Sequence, residues 1–170
     1  MIIYTSQDLE NWKSKKLLNN WKKEFPDLIP THLFSILNSR QSLNSYCFGE
    51  LFTGIYYARK GFKFLYEPWI ENFLLFRAKI KELKDLQEIF TDIFIQHTNP
   101  EIYNFIQNNI AQKTNKGQPD LFIYDETNSF FAEVKRKGDV VREEQEFFIK
   151  TLDRSGFDLP IKLVSLQRVS

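Results

Sequence analysis

The chain has 170 residues, of which 42% are hydrophobic and 26% charged, and its formal net charge is +1. This length and composition predict a single domain, and the near-neutral charge excludes a strong global attraction to nucleic acid or membrane, so a basic surface would be local. One cysteine excludes an intramolecular disulfide, and one cysteine with two histidines disfavours structural zinc. Neither a secretory signal nor a membrane-spanning run is expected, so the expected location is the cytoplasm.

The N-terminal segment, residues 1–42, is predicted to be a helical extension of this single domain, 1–170. Beyond a cap at Ser6, apolar residues recur at near-helical spacing, which indicates an amphipathic helix packed on the domain: Leu9, Trp12, Leu17 and Trp21. The sequence `PDLIP` then breaks the chain before a short helix around residues 31 to 38.

The next helix is predicted over residues 43 to 60, with Gly61 as its C′ residue. At 100° per residue, Glu50 falls in the middle of a stripe of small and apolar side chains: Leu43, Cys47, Gly54 and Ala58. An unpaired buried charge is costly, so Glu50 either forms a structural ion pair, extends its carboxylate to solvent, or belongs to a functional site. The run `FKFLYEPW` is predicted to form the first core strand, ended by Pro68.

Residues 71–113 are predicted to form a helical insertion within the core. A helix from about residue 71 to 96 is followed by Asn99, a cap residue, with Pro100 at the first helical position. The second helix has an apolar stripe of Ile102, Phe105, Ile106 and Ile110. A packed buttress, a substrate surface and a dimer surface are all compatible with this insertion.

The most informative stretch is `GQPDLFIYDETNSFFAEVKRKGD`, residues 117–139. Two strand-like runs flank the polar cluster `ETNS`, which is typical of a hairpin turn. Side chains alternate along a strand, so Glu133 and Lys135 point to one side while Val134 points to the other, and Asp120 can reach the first side. Two carboxylates beside a lysine suit a hard divalent cation and an activated water. The alternative is an ordinary solvated strand face.

After the hairpin, Asp139 is predicted to cap a helix that runs to about Arg154. Gln145 falls within its apolar face, where it either bonds a backbone carbonyl or belongs to a site; that face comprises Val141, Phe148, Ile149 and Leu152. The run `IKLVSLQRV` is predicted to be the final core strand.

The hairpin motif resembles the PD-(D/E)xK nuclease superfamily, and most of all its VRR-NUC type. The resemblance rests on Pro119-Asp120 before the hairpin and Glu133-Val134-Lys135 after it, with Gly117, Gly138-Asp139 and Gln145 in matching places. It covers roughly residues 43–69 and 117–170. It implies an α/β, restriction-endonuclease-like core, in which a mixed central sheet is flanked by helices.

The function implied by this resemblance is metal-dependent endonucleolytic hydrolysis of DNA. Junction or branched DNA, as in repair or recombination, is one substrate class compatible with it, and flaps, simple duplex and single strands stay open. The implied metal ligands are Asp120, Glu133 and the backbone carbonyl of Val134, with Glu50 in support. Lys135 and Gln145 complete the implied catalytic set, with Phe148 where the family more often has tryptophan. The implied cofactor is Mg²⁺, for which Mn²⁺ should substitute.

The expected partner is DNA, held by a local basic rim of Arg136, Lys137, Arg142, Lys113 and Lys116. Simple solvation of these residues is an equal alternative, because acids lie nearby in the chain at Asp125, Glu126 and Glu143. A homodimer is expected if the substrate is a four-way junction. Two other functions remain open: a nucleic-acid-binding or assembly module on this fold that does not cleave, and a helical interaction protein whose hairpin is incidental.

Overall fold

The computed structural model of the chain describes residues 1–66, 81–114 and 117–169, and it leaves out the side chains of residues 81–85. Three sequence predictions lie outside this range: the strand end at Pro68, the beginning of the insertion at residues 71–80, and the position of Lys116.

A five-stranded mixed sheet forms the centre of the molecule, in the spatial order β1-β5-β4-β3-β2. The strands are β1 (Ile2–Thr5), β2 (Lys63–Tyr66), β3 (Leu121–Tyr124), β4 (Ser129–Arg136) and β5 (Ile161–Val169). The pairs β2–β3 and β3–β4 are antiparallel, whereas β4–β5 and β1–β5 are parallel. Helices flank this sheet on both faces, which confirms the predicted fold class.

Four helices cover one face of the sheet: α1 (Ser6–Lys13), α2 (Lys16–Glu24), α3 (Thr31–Ser39) and α4 (Phe48–Ala58). Strand β1 precedes them and was not predicted, because it is only four residues long and pairs with β5 at the far end of the chain. Thr5, rather than Ser6, caps α1, and its side chain accepts the backbone N–H of Asp8. The N-terminal segment therefore contributes a strand to the core sheet besides its helices.

Helix α4 begins later than predicted, at Phe48. The preceding residues form a turn in which Asn44 and Cys47 have φ of 48° and 55°, left-handed values that a helix cannot continue through. The end of α4 agrees with the prediction. Gly61, with φ of 91°, is the C′ residue of a Schellman motif in which the Phe62 N–H bonds to the Tyr57 carbonyl at 3.2 Å.

The other face carries α5 (Lys81–His97), α6 (Pro100–Ile106) with a π-helical turn over Gln107–Ala111, and α7 (Glu143–Asp153). The predicted cap at Asn99 is confirmed, because its side chain accepts the Ile102 N–H at 2.8 Å. These helices close over an aromatic core of fully buried side chains from α5, β3, β4 and α7: Phe94, Phe122, Phe131 and Phe148. None of the described helices is long and apolar enough to cross a membrane.

The predicted start of α7 is wrong. Its N-cap is Arg142, three residues after the predicted cap Asp139. Asp139 instead accepts the backbone N–H of Arg136 at 2.9 Å and closes the turn after β4. Val141 is consequently exposed in the loop rather than buried on the helix, whereas Phe148 and Leu152 are buried as predicted.

Candidate active site

The β3–β4 hairpin brings the two motif segments together. Leu121 is paired with Ala132, so the residue before it, Asp120, falls opposite Glu133. The turn forms where `ETNS` predicted it, because the Asp125 carboxylate accepts the backbone N–H groups of Thr127 and Asn128 at 2.8 and 2.7 Å. The register of the two carboxylates thus follows from local turn chemistry.

Asp120 is fixed at the mouth of the hairpin by one hydrogen bond. Its Oδ2 accepts the backbone N–H of Val134 at 2.7 Å, one residue before β3 begins at Leu121. The N–H and C=O of one strand residue point to the same edge of the strand. The Val134 carbonyl is therefore directed toward the edge on which Asp120 lies.

Glu133 and Lys135 form a buried network with Gln145 of α7. Glu133 is only 2% exposed, and its Oε1 lies 2.9 Å from the Lys135 Nζ. The same Nζ donates to the Gln145 Oε1 at 2.8 Å and to the Val140 carbonyl at 3.1 Å. Gln145 in turn donates through Nε2 to Glu133. An ammonium has three N–H donors, so each donor of Lys135 has an acceptor.

Gln145 is held in place from two directions. Its Oε1 also accepts the Arg142 N–H at 3.0 Å, which ties it to the beginning of α7. Gly117 packs on the same turn of the helix with φ of 86°, and a Cβ there would lie 2.3 Å from the Glu144 carbonyl oxygen. Only glycine fits both the backbone angle and this close approach, so the segment before Asp120 is packed directly against α7.

Glu50 approaches the motif from α4, which covers the opposite face of the sheet. It is half-buried, and its Oε2 is a buried oxygen with no hydrogen-bond partner among the described residues. Its negative charge contributes to the raised pKa values of Asp120 and Glu133. The structural ion pair that the sequence left open for Glu50 is not present in the described parts of the chain.

Electrostatics disfavour the simultaneous ionisation of Asp120 and Glu133 when no cation is bound. Burial, followed by the charge of Glu133, raises the pKa of Asp120 to about 8. Burial likewise raises the pKa of Glu133, although the hydrogen bond and charge of Lys135 oppose the shift. A proton or a bound cation would relieve the repulsion between Asp120 and Glu133.

The predicted basic residues divide into two kinds. Arg136 is half-buried. Its Nη2 donates to the Ser45 carbonyl at 3.1 Å, and its Nε lies 3.3 Å from where a Cβ on Gly49 would stand. Lys137, Arg142 and Lys113 are exposed. Arg136 therefore joins β4 to the beginning of α4, while Lys137 and Arg142 extend to solvent beside the hairpin.

The donor chemistry fits a hard divalent cation. Asp120, Glu133 and Glu50 offer only oxygen atoms, and the Oε2 of Glu50 is a buried acceptor that no described residue supplies with a donor. Within the described ranges, however, no three histidine, cysteine or acidic side chains already form a group that could hold a metal ion. The oxygen ligands that this edge of the sheet could offer a cation are those of Asp120 and Glu133, with the Val134 carbonyl at the same edge.

Some parts of this site carry no signal in the sequence. The Val140 carbonyl and the Arg142 N–H act through the backbone, so their side chains do not reveal them. The contact between Arg136 and Ser45 joins residues 91 positions apart. Gly117 is part of the motif, and its close approach to α7 gives a physical reason for glycine there.

In a comparison with protein families, the VRR-NUC domain model matches residues 75–165. The matched range includes the whole hairpin, Gln145 and the described helices α5 and α6, whereas Glu50 lies outside it. No curated protein and no solved structure gives a significant match to the chain.

Proposed function

The chain belongs to the VRR-NUC family of nuclease domains, and we propose that it is an endonuclease that hydrolyses DNA phosphodiester bonds with Mg²⁺ as cofactor. The observation that carries the proposal is the meeting of Asp120, Glu133 and Lys135 at one end of the hairpin, beside a buried Glu50 oxygen that no described residue pairs. Branched or junction DNA is the proposed substrate class.

We propose that Asp120, Glu133 and the Val134 carbonyl hold the cation, and that Glu50 supports it through its buried oxygen. The cation, when bound, supplies Lewis-acid activation of water and neutralises charge on the scissile phosphate. The protein contributes preorganisation, because the Val134 N–H already fixes Asp120 at 2.7 Å and burial already fixes Glu133. Mn²⁺ should replace Mg²⁺, since both accept carboxylate oxygens.

Lys135 has an electrostatic role in this proposal. Its three donors already have acceptors in Glu133, Gln145 and Val140. The position of the ammonium is therefore fixed by the protein. A phosphate oxygen arriving beside it would exchange with the Val140 carbonyl, the longest and most exposed of the three contacts. Lys135 would then offset the charge that develops on the phosphate.

Gln145 is a positioning residue. It bridges Glu133 and Lys135, and the Arg142 N–H and Gly117 fix it at the beginning of α7. Its amide therefore sets the distance between the carboxylate and the ammonium. Its loss should weaken catalysis through these two neighbours rather than through contact with DNA.

We propose Lys137, Arg142, Lys113 and Lys116 as the phosphate contacts of the rim. Arg136 is withdrawn from that set, because its guanidinium bonds the Ser45 carbonyl. We also propose that residues 1–170 form one domain, since the N-terminal helices and the helices between residues 81 and 111 pack on opposite faces of the same sheet. A homodimer is proposed only for a four-way-junction substrate, where two cuts need two sites.

The decisive experiment is incubation with end-labelled four-way, forked, linear duplex and single-stranded DNA in Mg²⁺, Mn²⁺ or Ca²⁺. We expect products in Mg²⁺ and Mn²⁺, and none from Asp120→Asn. The matched control is Glu126→Gln, which removes an exposed carboxylate from the turn of the same hairpin and should cleave normally. Binding without cleavage by the wild type in every metal would favour the non-cleaving module instead.

A further inference from the structure

An exposed apolar tip lies directly beside the proposed catalytic lysine. Val140 is 74% exposed and Val141 is 39% exposed, in the loop between β4 and α7. Scattered surface valines need no explanation, but two adjacent ones in a loop that contacts the site form a small apolar surface. We call these two side chains the valine tip.

The loop that carries the valine tip is anchored at both ends by its backbone. Before the tip, Asp139 accepts the Arg136 N–H at 2.9 Å, and the Val140 carbonyl accepts Lys135 at 3.1 Å. After it, the Arg142 N–H bonds Gln145 at 3.0 Å. With its backbone fixed in this way, the loop holds the two valines outward at a constant distance from Lys135.

The valine tip lies between exposed charges of both signs. The cations Lys137 and Arg142 flank it, as do the acids Asp139 and Glu143, and a phosphate backbone passing the tip would be held by the two cations. Valine offers nothing to a phosphate, and in an intact duplex the base faces are stacked and closed to it. Apolar side chains do pack against bases where a step is unstacked, as wedges in nucleic-acid-binding proteins show.

We propose that the valine tip packs against an unstacked base at a branch point of DNA, next to the phosphate that Lys135 faces. This proposal rests on the proposed nuclease function and deepens it, because it assigns the preference for branched over linear DNA to two residues. The loop, anchored through the Asp139 carboxylate and through the Arg142 N–H, would set the cut at a constant distance from the branch.

The test compares the wild type with the double variant Val140→Ser, Val141→Ser. Ca²⁺ is used so that binding is measured without turnover, and the probes are a fluorescent fork and a linear duplex of the same length. We expect about tenfold weaker binding to the fork, roughly 1.4 kcal/mol, because burying a valine is worth at least that much. Duplex affinity and the salt dependence should stay unchanged, since the cations are retained.

The matched control is Ile89→Ser, which removes a side chain that is 53% exposed on α5. It should leave the ratio of fork to duplex affinity unaltered, and equal melting temperatures would show that both variants are folded. In Mg²⁺, the double variant should also spread its cuts over several positions in the fork. A failure of the proposed nuclease function is a separate result, because wild-type protein itself would then cleave neither probe.

Two results would overturn the proposal. The first is an unchanged ratio of fork to duplex affinity together with unchanged cut positions in the double variant. The second is a wild-type dimer that the two serines dissociate in gel filtration, which would make the valine tip a contact with a second copy of the chain.

Discussion

The two faces of the sheet differ in how completely they are covered. On the face packed by α1 to α4, β5 contributes Val164 and Leu166, which are 5% and 2% exposed. Leu163 alternates with Val164 along the strand and so points to the other face, where it is 58% exposed. It is the register partner of Glu133, which is buried. The cover provided by α7 therefore ends between these two neighbours.

This difference explains why the site lies where it does. A carboxylate under full cover would be inaccessible to a polymer, and one on an open face would have an ordinary pKa. At the edge of the α7 cover, burial raises the pKa values of Asp120 and Glu133 while Lys137 and Arg142 remain open to solvent. We expect substitutions on the two faces to separate activity from stability accordingly.

The largest expected effect is on cleavage, from the partly covered face. Lys135→Met should lower the cleavage rate by at least about 100-fold, because it removes a fixed positive charge beside the phosphate. Leu166→Ala, on the fully covered face, should instead cost about 2–5 kcal/mol of stability and keep the activity of each folded molecule. The measurements are single-turnover cleavage per folded molecule and denaturant unfolding. Loss of activity per folded molecule in Leu166→Ala would mean that substitutions on the two faces do not separate activity from stability.

Glu50 belongs to a helix on one face of the sheet but influences carboxylates that lie toward the other face. It projects from α4, yet its buried oxygen has no partner in the described ranges and its charge acts on Asp120 and Glu133. Glu50→Gln should therefore weaken activation by Mn²⁺ by about tenfold, as the loss of a supporting ligand typically does. The melting temperature without metal should stay the same or rise, because repulsion is relieved. A lower melting temperature with unaltered Mn²⁺ dependence would identify a structural role.

The raised pKa of Asp120 predicts how stability changes with pH. Its ordinary value is 3.8 and its value in the fold is about 8, so between these pH values the unfolded chain releases a proton that the folded protein keeps. Stability from this group is thus fully present below about pH 4 and is lost as the pH rises through 8. Asp120→Asn retains an acceptor for the Val134 N–H and should flatten the decline, as seen in melting curves from about pH 5 to 9.

The same measurement distinguishes a cation site from a merely strained carboxylate. At pH 8, Ca²⁺ should raise the melting temperature of the wild type, because a ligand that binds only the folded state stabilises it. Asp120→Asn should respond less. Equal responses of the two proteins would mean that Ca²⁺ binds elsewhere.

The hairpin and its carboxylates could be predicted from the sequence because their geometry is local. Asp120 and Val134 are 14 positions apart, and a turn with recognisable turn residues sets the register between them. Strand alternation then places Glu133 and Lys135 together. Gln145 could be predicted as well, since an amide within an apolar stripe of α7 is conspicuous, and the structure bonds it to both of them.

The rest depended on contacts between distant parts of the chain. Strand β1 exists because it pairs with β5, and nothing within four residues signals that partner. Helix α4 was predicted to begin too early, because apolar spacing continues through Leu43 and Cys47 although left-handed backbone ends the helix. Asp139 resembles a helix cap by composition, but the Arg136 N–H is a nearer donor. The bond from Arg136 to the Ser45 carbonyl, 91 positions away, likewise has no local signal in the sequence.

The smallest expected effect is on DNA binding, and it compares the exposed basic residues with Arg136. Lys137→Gln with Arg142→Gln should weaken duplex binding in Ca²⁺ and flatten the plot of log affinity against log salt by about 1.8, or about 0.9 for each phosphate that the protein no longer neutralises. Arg136→Gln should leave that slope unchanged and lower the melting temperature, because its guanidinium bonds the Ser45 carbonyl at 3.1 Å and so joins β4 to the beginning of α4. A slope that responds to Arg136 but not to the other pair would mean that DNA crosses the beginning of α4. The basic rim would then lie on the side of the sheet that α1 to α4 cover, and the DNA would pass over that side rather than over the side that carries α7.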